Sequence, residues 1–90
     1  MSKFLHIYIK PNSGISREII EKKISLALDW YRYDENLYIV YTTSSVNKWQ
    51  ERLLDSVKND GRLFICELNT VNRNGWLNNA FWTWMKKERK

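Results

Sequence analysis

Residues 30–43 read Trp-Tyr-Arg-Tyr-Asp-Glu-Asn-Leu-Tyr-Ile-Val-Tyr-Thr-Thr, and this stretch decides the fold. Aromatic and β-branched residues dominate it on both sides of a polar break at residues 34–36, a composition typical of strands joined by a tight turn. It therefore predicts a hairpin of two strands, residues 30–33 and 37–42. The second of these is strongly apolar, so we expect it near the centre of a sheet.

Two helical patterns flank this hairpin, and a further strand lies beyond each of them. Residues 3–10 read as the first strand, and residues 63–68 form an apolar strand after a helix stop at residues 59–61. This order predicts an α+β, ferredoxin-like βαββαβ fold, in which an antiparallel four-stranded sheet carries two helices on one face. We expect residues 1–90 to form one domain, with a short C-terminal helical tail at 76–90.

Caps and apolar stripes predict the helices. Ser16 is the expected N-cap of the first helix, which runs to about Leu28, and Ser44 or Ser45 caps the second. The stripe of the first helix is Ile20, Ile24, Ala27 and Leu28. The stripe of the second helix is Val46, Trp49, Leu53, Leu54 and Val57. The stripe of the tail is Leu77, Ala80, Phe81, Trp84 and Met85.

Alternation along the first strand separates two kinds of side chain. The apolar set, expected against the helices, is Leu5, Ile7 and Ile9. The other set is Phe4, His6, Tyr8 and Lys10. This second set is aromatic and amphipathic, which suits a half-exposed sheet face or a dimer contact.

The length and net charge of the chain indicate which kinds of partner it suits. A chain of 90 residues buries only about 60–65% of its unfolded surface, so pairing into a dimer would relieve a small core. Five Trp, five Tyr and three Phe supply a dense core or a shared interface. The formal net charge of +5 suits a phosphate-bearing partner, and a mildly basic surface without a role is the alternative.

The sequence contains one cysteine, Cys66, which cannot form an internal disulfide and indicates a reducing compartment. No His lies near Cys66 in sequence, so a buried, inert thiol is expected. His6 is interpreted as a structural sheet residue, because no Ser, Cys or carboxylate lies in register beside it. Without a catalytic motif we expect no catalytic residue, cofactor or metal. Without a signal-peptide pattern or a membrane-length apolar run, we expect a cytoplasmic protein with no membrane partner.

Short motifs from the third strand onward resemble a known group of proteins. They are Thr42-Thr43-Ser44-Ser45, Trp49, Leu53-Leu54, Asn59-Asp60-Gly61-Arg62-Leu63-Phe64-Ile65, Gly75-Trp76-Leu77, Phe81-Trp82 and Trp84. The chain is similar from residue 30 to 87 to the SinR-type small proteins, in the superfamily of the small CRISPR-associated integration subunit (Cas2-like) and the VapD ribonucleases. The resemblance implies a ferredoxin-like protomer that forms a two-fold dimer, which in the CRISPR-associated members is a scaffold for duplex DNA.

Some of these relatives are metal-dependent nucleases with an Asp at the end of the first strand. Here Lys10 or Asn12 takes the approximate place of that residue. Because Mg²⁺ requires oxygen ligands, usually including a carboxylate, this departure argues against hydrolysis. Asp34 and Glu35 remain, but a hairpin tip is normally a solvated turn.

Basic side chains are the predicted nucleic-acid contacts. They are Lys10, Arg17, Lys48, Arg52, Lys86, Lys87, Arg89 and Lys90. In a two-fold dimer each patch would be doubled and could follow a duplex backbone. The alternative for the second helix is that Lys48 and Arg52 only pair with its own carboxylates, and the tail cluster is expected to be solvated.

Three side chains are predicted at a partner interface: Tyr8, Trp82 and Trp84. The tail tryptophans either pack in the apolar stripe or stack on bases, and packing fits their neighbours better. Trp82 lies off the stripe, so it is the best candidate for exposure.

The favoured function is a non-catalytic, homodimeric scaffold that contacts duplex DNA or RNA. A small protein-binding inhibitor or regulator, such as a phage anti-defence protein or an antitoxin, is the alternative from another class. A metal-dependent nuclease that uses unrecognised carboxylates is the second alternative.

Overall fold

The computed structural model describes residues 1–89, so Lys90 lies outside the described residues. Its elements in chain order are β1 (Lys3–Lys10), α1 (Arg17–Ile24), β2 (Asp29–Asp34), β3 (Leu37–Thr42), α2 (Val46–Leu53), β4 (Arg62–Leu68) and α3 (Asn79–Lys86). A single turn of 3-10 helix, Leu54–Ser56, follows α2.

The strands form one antiparallel sheet in the order β2-β3-β1-β4. Each helical crossover therefore joins two strands that are separated by one other strand, which is the split βαβ arrangement. The predicted ferredoxin-like α+β fold is confirmed.

The main core lies between the sheet and the α1–α2 layer. Leu5, Ile7 and Ile9 are buried there, as their alternation predicts. They pack with Ile20 and Ile24 of α1 and with Trp49 and Leu53 of α2. Full burial of each such side chain contributes about 1.5–3 kcal/mol, so this layer carries most of the folding stability.

The C-terminal helix packs on the opposite face of the sheet and makes a third layer. Phe81 and Met85 are buried against Ile39 of β3. The helix is shorter than predicted because Asn78 caps it by accepting a hydrogen bond from the Phe81 backbone N–H at 2.9 Å. Leu77 therefore precedes the helix and is exposed, and Ala80, in the first turn of α3, is exposed as well, so neither belongs to the packed stripe.

Two further helix predictions need correction. The first helix begins after the predicted cap Ser16 but ends at Ile24 rather than near Leu28. The Leu28 backbone N–H instead donates to the Tyr41 carbonyl at 2.9 Å, which starts the pairing of the hairpin, and the Leu28 side chain is exposed. Ser45 caps α2, and Leu54 is exposed because the tighter 3-10 turn rotates it off the apolar stripe.

Within the described chain, no helix has the length and apolarity needed to cross a membrane.

Candidate functional site

The sheet face beneath α3 is divided into two ends. The covered end consists of Phe4, Tyr31, Ile39 and Tyr41, which lie under or beside α3. The Tyr31 ring meets the Phe81 ring edge-on with centroids 5.7 Å apart, and Phe4 meets Trp84 at 6.0 Å. Such aromatic pairs contribute about 0.5–1.5 kcal/mol each beyond the area they bury.

Arg89 fastens the tail to the covered end. Its guanidinium stacks 4.3 Å from the Trp84 ring centroid and 5.2 Å from that of Phe4, and its side chain is only 8% exposed. The same group pairs with the Asp29 carboxylate at 3.3 Å and donates to the Trp84 carbonyl at 2.8 Å. Lys87 also reaches Asp29, at 3.4 Å. Arg89 is therefore docked, which corrects the expectation that the terminal cluster is solvated, whereas Lys86 and Lys87 are exposed as expected.

The open end of the same face consists of Tyr8, Lys10, Arg62 and Phe64. The strand register places Tyr8 directly opposite Phe64 and Lys10 directly opposite Arg62. Phe64 is 61% exposed, Tyr8 is half-buried, and both cations are exposed. Two aromatic rings and two cations thus lie side by side on a surface that α3 leaves bare.

The two cations of the open end repel each other across the strands. Like charges directly opposite in a sheet are destabilising, and neither Lys10 nor Arg62 forms an ion pair within residues 1–89. The Asp60 carboxylate compensates in part: hydrogen bonds from Ser13 lower its pKa, and the charge of Lys10 lowers it further. An anionic partner would relieve the remaining repulsion.

Asn12 positions the start of β4 beside Lys10. Its buried side-chain oxygen accepts hydrogen bonds from the backbone N–H groups of residues 59, 60 and 61 at 3.1, 3.0 and 2.9 Å. A Cβ at Gly61 would clash with the Lys10 carbonyl oxygen, so only glycine permits this close approach. Asn12 therefore has a structural role, as the acceptor that holds the start of β4 beside Lys10.

The structure does not bring the other predicted cations to this surface. On the helix layer, Arg17 contacts the side chains of Asn36 and Tyr38. Arg52 is half-buried with its guanidinium 4.7 Å from the Trp49 ring centroid, and Lys48 is exposed on α2.

In the tail, Lys86 is exposed at the end of α3, whereas Lys87 and Arg89 engage Asp29. Phe64 and Arg62 are the site residues that sequence reasoning missed. The sequence signal that could have found them is the alternation of side chains along β1 and β4, since antiparallel pairing puts one residue opposite each of Tyr8 and Lys10.

The structure places the three predicted interface residues in different parts of this face. Tyr8 belongs to the open end, Trp84 packs within the covered end, and Trp82 is half-buried against Phe81. The expectation that Trp82 is the most exposed tail tryptophan is wrong, because Trp76 is 98% exposed.

His6 lies between the two ends of the face. It faces Cys66 across β1 and β4, so the statement that no Cys lies in register with it is corrected. The two side chains share no hydrogen bond within the described residues, and the His6 Nε2 atom instead bonds the Tyr33 hydroxyl at 2.7 Å. Cys66 is half-buried and unpaired with another cysteine, rather than fully buried.

No group of three or more His, Cys, Asp or Glu side chains in the described part of the chain is arranged to hold a metal ion. Asp34 and Glu35 lie exposed at the tip of the β2–β3 hairpin.

Set against protein-family models, curated proteins and solved structures, the chain matches none of them. The resemblance to the SinR-type proteins stays a prediction.

Proposed function

We propose that the protein binds nucleic acid at the open end of the sheet, without catalysing a reaction. The observation that carries this proposal is the unpaired Lys10–Arg62 cation pair beside the exposed ring of Phe64 and the half-exposed ring of Tyr8. Cations contact phosphate and release counterions, while aromatic rings stack on bases. The combination matches a nucleic-acid strand better than an acidic protein surface, which would use the charges but not the rings.

The arrangement favours a strand with accessible bases over a closed duplex. Bases in a duplex present only their edges, so Tyr8 and Phe64 would have no faces to stack on. The duplex scaffold expected from the sequence would need a longer cationic track than Lys10 and Arg62 provide. Arg17, Arg52, Lys87 and Arg89 are held elsewhere by their own contacts, and Lys48 and Lys86 are exposed on α2 and α3.

The test is fluorescence anisotropy of labelled oligonucleotides, single-stranded and duplex, titrated over a salt series. Lys10→Ala, Arg62→Ala and the variant with both changes are each compared with a control variant, Lys22→Ala. The control removes the same charge from an exposed position on α1. Loss of two phosphate contacts should flatten the log–log salt slope for a single strand by about 1.4. Lys22→Ala should leave the slope unchanged.

Equal effects of all three substitutions would indicate binding by net charge alone and would contradict the proposal. An absence of binding at low salt would also contradict it.

A homodimer is proposed through β4, which lies at one edge of the sheet with β1 beside it. Only Arg62 and Glu67 among its seven residues are charged, so it presents an unprotected edge. The opposite edge, β2, contains Asp29, Arg32 and Asp34 and a register shift, features that discourage pairing. A second copy pairing along β4 would extend the sheet across both copies.

Sedimentation velocity over a concentration series tests the dimer. A monomer at every concentration would contradict it.

A second candidate function is binding to a protein target as an inhibitor or regulator. Trp76 and its neighbour Leu77, in the segment before α3, are both exposed, and adjoining exposed apolar side chains mark interaction surfaces. Trp76→Ala separates the two functions, because it should leave oligonucleotide affinity unchanged if the open end alone makes the contact.

A further inference from the structure

A cavity of about 300 Å³ lies between α3, the loop at residues 69–77 and the sheet. It is at the lower end of the size of ligand pockets, about 300–1,000 Å³. Its walls combine aromatic and aliphatic side chains, including Phe81, Trp82 and Met85, with polar ones. The cavity is separate from the open end but shares its face of the sheet.

The polar wall of the cavity offers hydrogen bonds of both kinds. On the sheet side His6 Nε2 bonds the Tyr33 hydroxyl at 2.7 Å, and burial lowers the pKa of His6, so Nδ1 of the neutral ring is left as one further donor or acceptor, according to the tautomer. The loop contributes Asn69, Asn72 and Asn74, together with Arg73.

Two of these asparagines have spare donors. The side-chain oxygens of Asn69 and Asn74 accept backbone N–H groups at 3.0 and 2.8 Å, while their amide nitrogens form no hydrogen bond within residues 1–89. An acyl chain would leave such groups unpaired against apolar surface, which is unfavourable. A flat ring with apolar faces and a polar edge satisfies both kinds of wall.

The cavity also lies close to the open end along β1 and β4. His6, which lines it, precedes Tyr8 by two residues on β1, and Leu68, which also lines it, lies four residues beyond Phe64 on β4. Two residues of strand span about 6.7 Å, roughly twice the 3.4 Å rise between stacked nucleotides. Two adjacent bases bound at Tyr8 and at the cavity would therefore be splayed apart, which is how single strands are recognised.

We propose that this cavity receives one unpaired base of the single strand whose neighbouring nucleotides lie on the open end. The inference rests on the proposed nucleic-acid function and names its substrate class as single-stranded. Trp82 or Phe81 contacts the face of the base, the asparagine amides and His6 contact its edge, and Arg73 is placed to meet the adjoining phosphate.

The experiment is an NMR titration of the ¹⁵N-labelled protein with adenosine, cytidine, guanosine and uridine 5′-monophosphates. We expect at least one of them to shift the Trp82 indole and the Asn72 side-chain amide signals. The Trp49 indole is an internal reference, because it donates to Thr42 within the opposite core and should not move. Asn72→Ala should weaken that nucleotide by about three- to tenfold, whereas Asn47→Ala, an exposed asparagine on α2, should not.

The same variants are then tested with single-stranded and duplex oligonucleotides. The proposal is supported if the unaltered protein binds the single strand more tightly than the duplex and Asn72→Ala weakens the single-strand binding. If oligonucleotides bind through Lys10 and Arg62 but no nucleotide shifts Trp82, the cavity proposal is overturned and the proposed function survives. If nucleotides shift Trp82 but oligonucleotide affinity is insensitive to Lys10 and Arg62, the proposed function fails, and the cavity is not a base pocket for a bound strand.

Discussion

The covered and open ends belong to the same face of one sheet, yet they use aromatic residues in opposite ways. At the covered end, Phe4 and Tyr31 are packed by α3, and Arg89 closes the contact through Asp29. At the open end, Tyr8 and Phe64 have no helix above them, and the nearby cations lack ion-pair partners in the described chain. The difference shows that the position of α3, rather than residue type, decides which rings stabilise the fold and which remain available to a partner.

The largest expected effect on stability comes from replacing a phenylalanine by alanine, once at the covered end and once at the open end. Phe81→Ala should lower the free energy of unfolding by about 3–5 kcal/mol, because it removes a buried ring from the contact of α3 with Ile39. Phe64→Ala should change it by less than about 0.5 kcal/mol, because that ring is largely exposed. Urea unfolding measures both, and similar losses from the two variants would break the comparison.

A smaller loss of stability is expected from removing the contacts of Arg89 with Asp29 and Trp84 at the covered end. Arg89→Ala should cost about 1–3 kcal/mol, as expected for charged hydrogen bonds, and Arg89→Lys should recover only part of it, because lysine lacks the planar group that stacks. Burial raises the pKa of Asp29, but the nearby Trp84 indole N–H and the hydrogen bonds from the Trp30 backbone and Lys87 outweigh burial and leave the pKa below 3.8.

The sign of the pH dependence follows from that lowered pKa. The unfolded carboxyl binds protons more readily, so the contribution of Asp29 is complete above about pH 4 and is lost as the pH falls through the folded-state value. The stability gap between the unaltered protein and Arg89→Ala should therefore narrow in acid, because the ion pair with Asp29 is lost while the stacking on Trp84 and the bond to its carbonyl remain. A gap of the same size in acid and at neutral pH would show that the ion pair contributes nothing.

The smallest stability effect is expected from His6, at the boundary between the two ends. Burial lowers the pKa of its imidazole below the ordinary 6.5, so the unfolded chain takes up a proton first as the pH falls through that value. The free energy of unfolding should decline as the pH falls from 6.5 to the folded-state pKa and then level off. His6→Gln should remove this decline, and an unchanged pH profile in that variant would assign the decline to another group.

The sheet could be predicted from sequence because its signals are local. The predicted bounds of β1 and β3 match the structure residue for residue, since alternation and flanking turn residues define both strands. The end of α1 could not be predicted in this way. An apolar pattern at helical spacing continues through Leu28, but pairing of that residue with Tyr41 in the hairpin overrides it.

The candidate site was predictable only in part. Tyr8 and Lys10 follow from the alternation of β1, but Phe64 and Arg62 become neighbours only when the register of β4 is known. The docking of the tail depends on Arg89 meeting Asp29, sixty residues earlier in the chain. Contacts this distant leave no periodic signal in sequence, so the extent of the covered end had to come from the structure.

The most direct test of the central claim is zero-length ultraviolet cross-linking to a single-stranded oligonucleotide, with the modified residues located by mass spectrometry. The open-end account predicts cross-links at Tyr8 and Phe64 and none at Phe4 or Trp49. Cross-links confined to the tail or to α2, with Tyr8 and Phe64 unmodified, would contradict it.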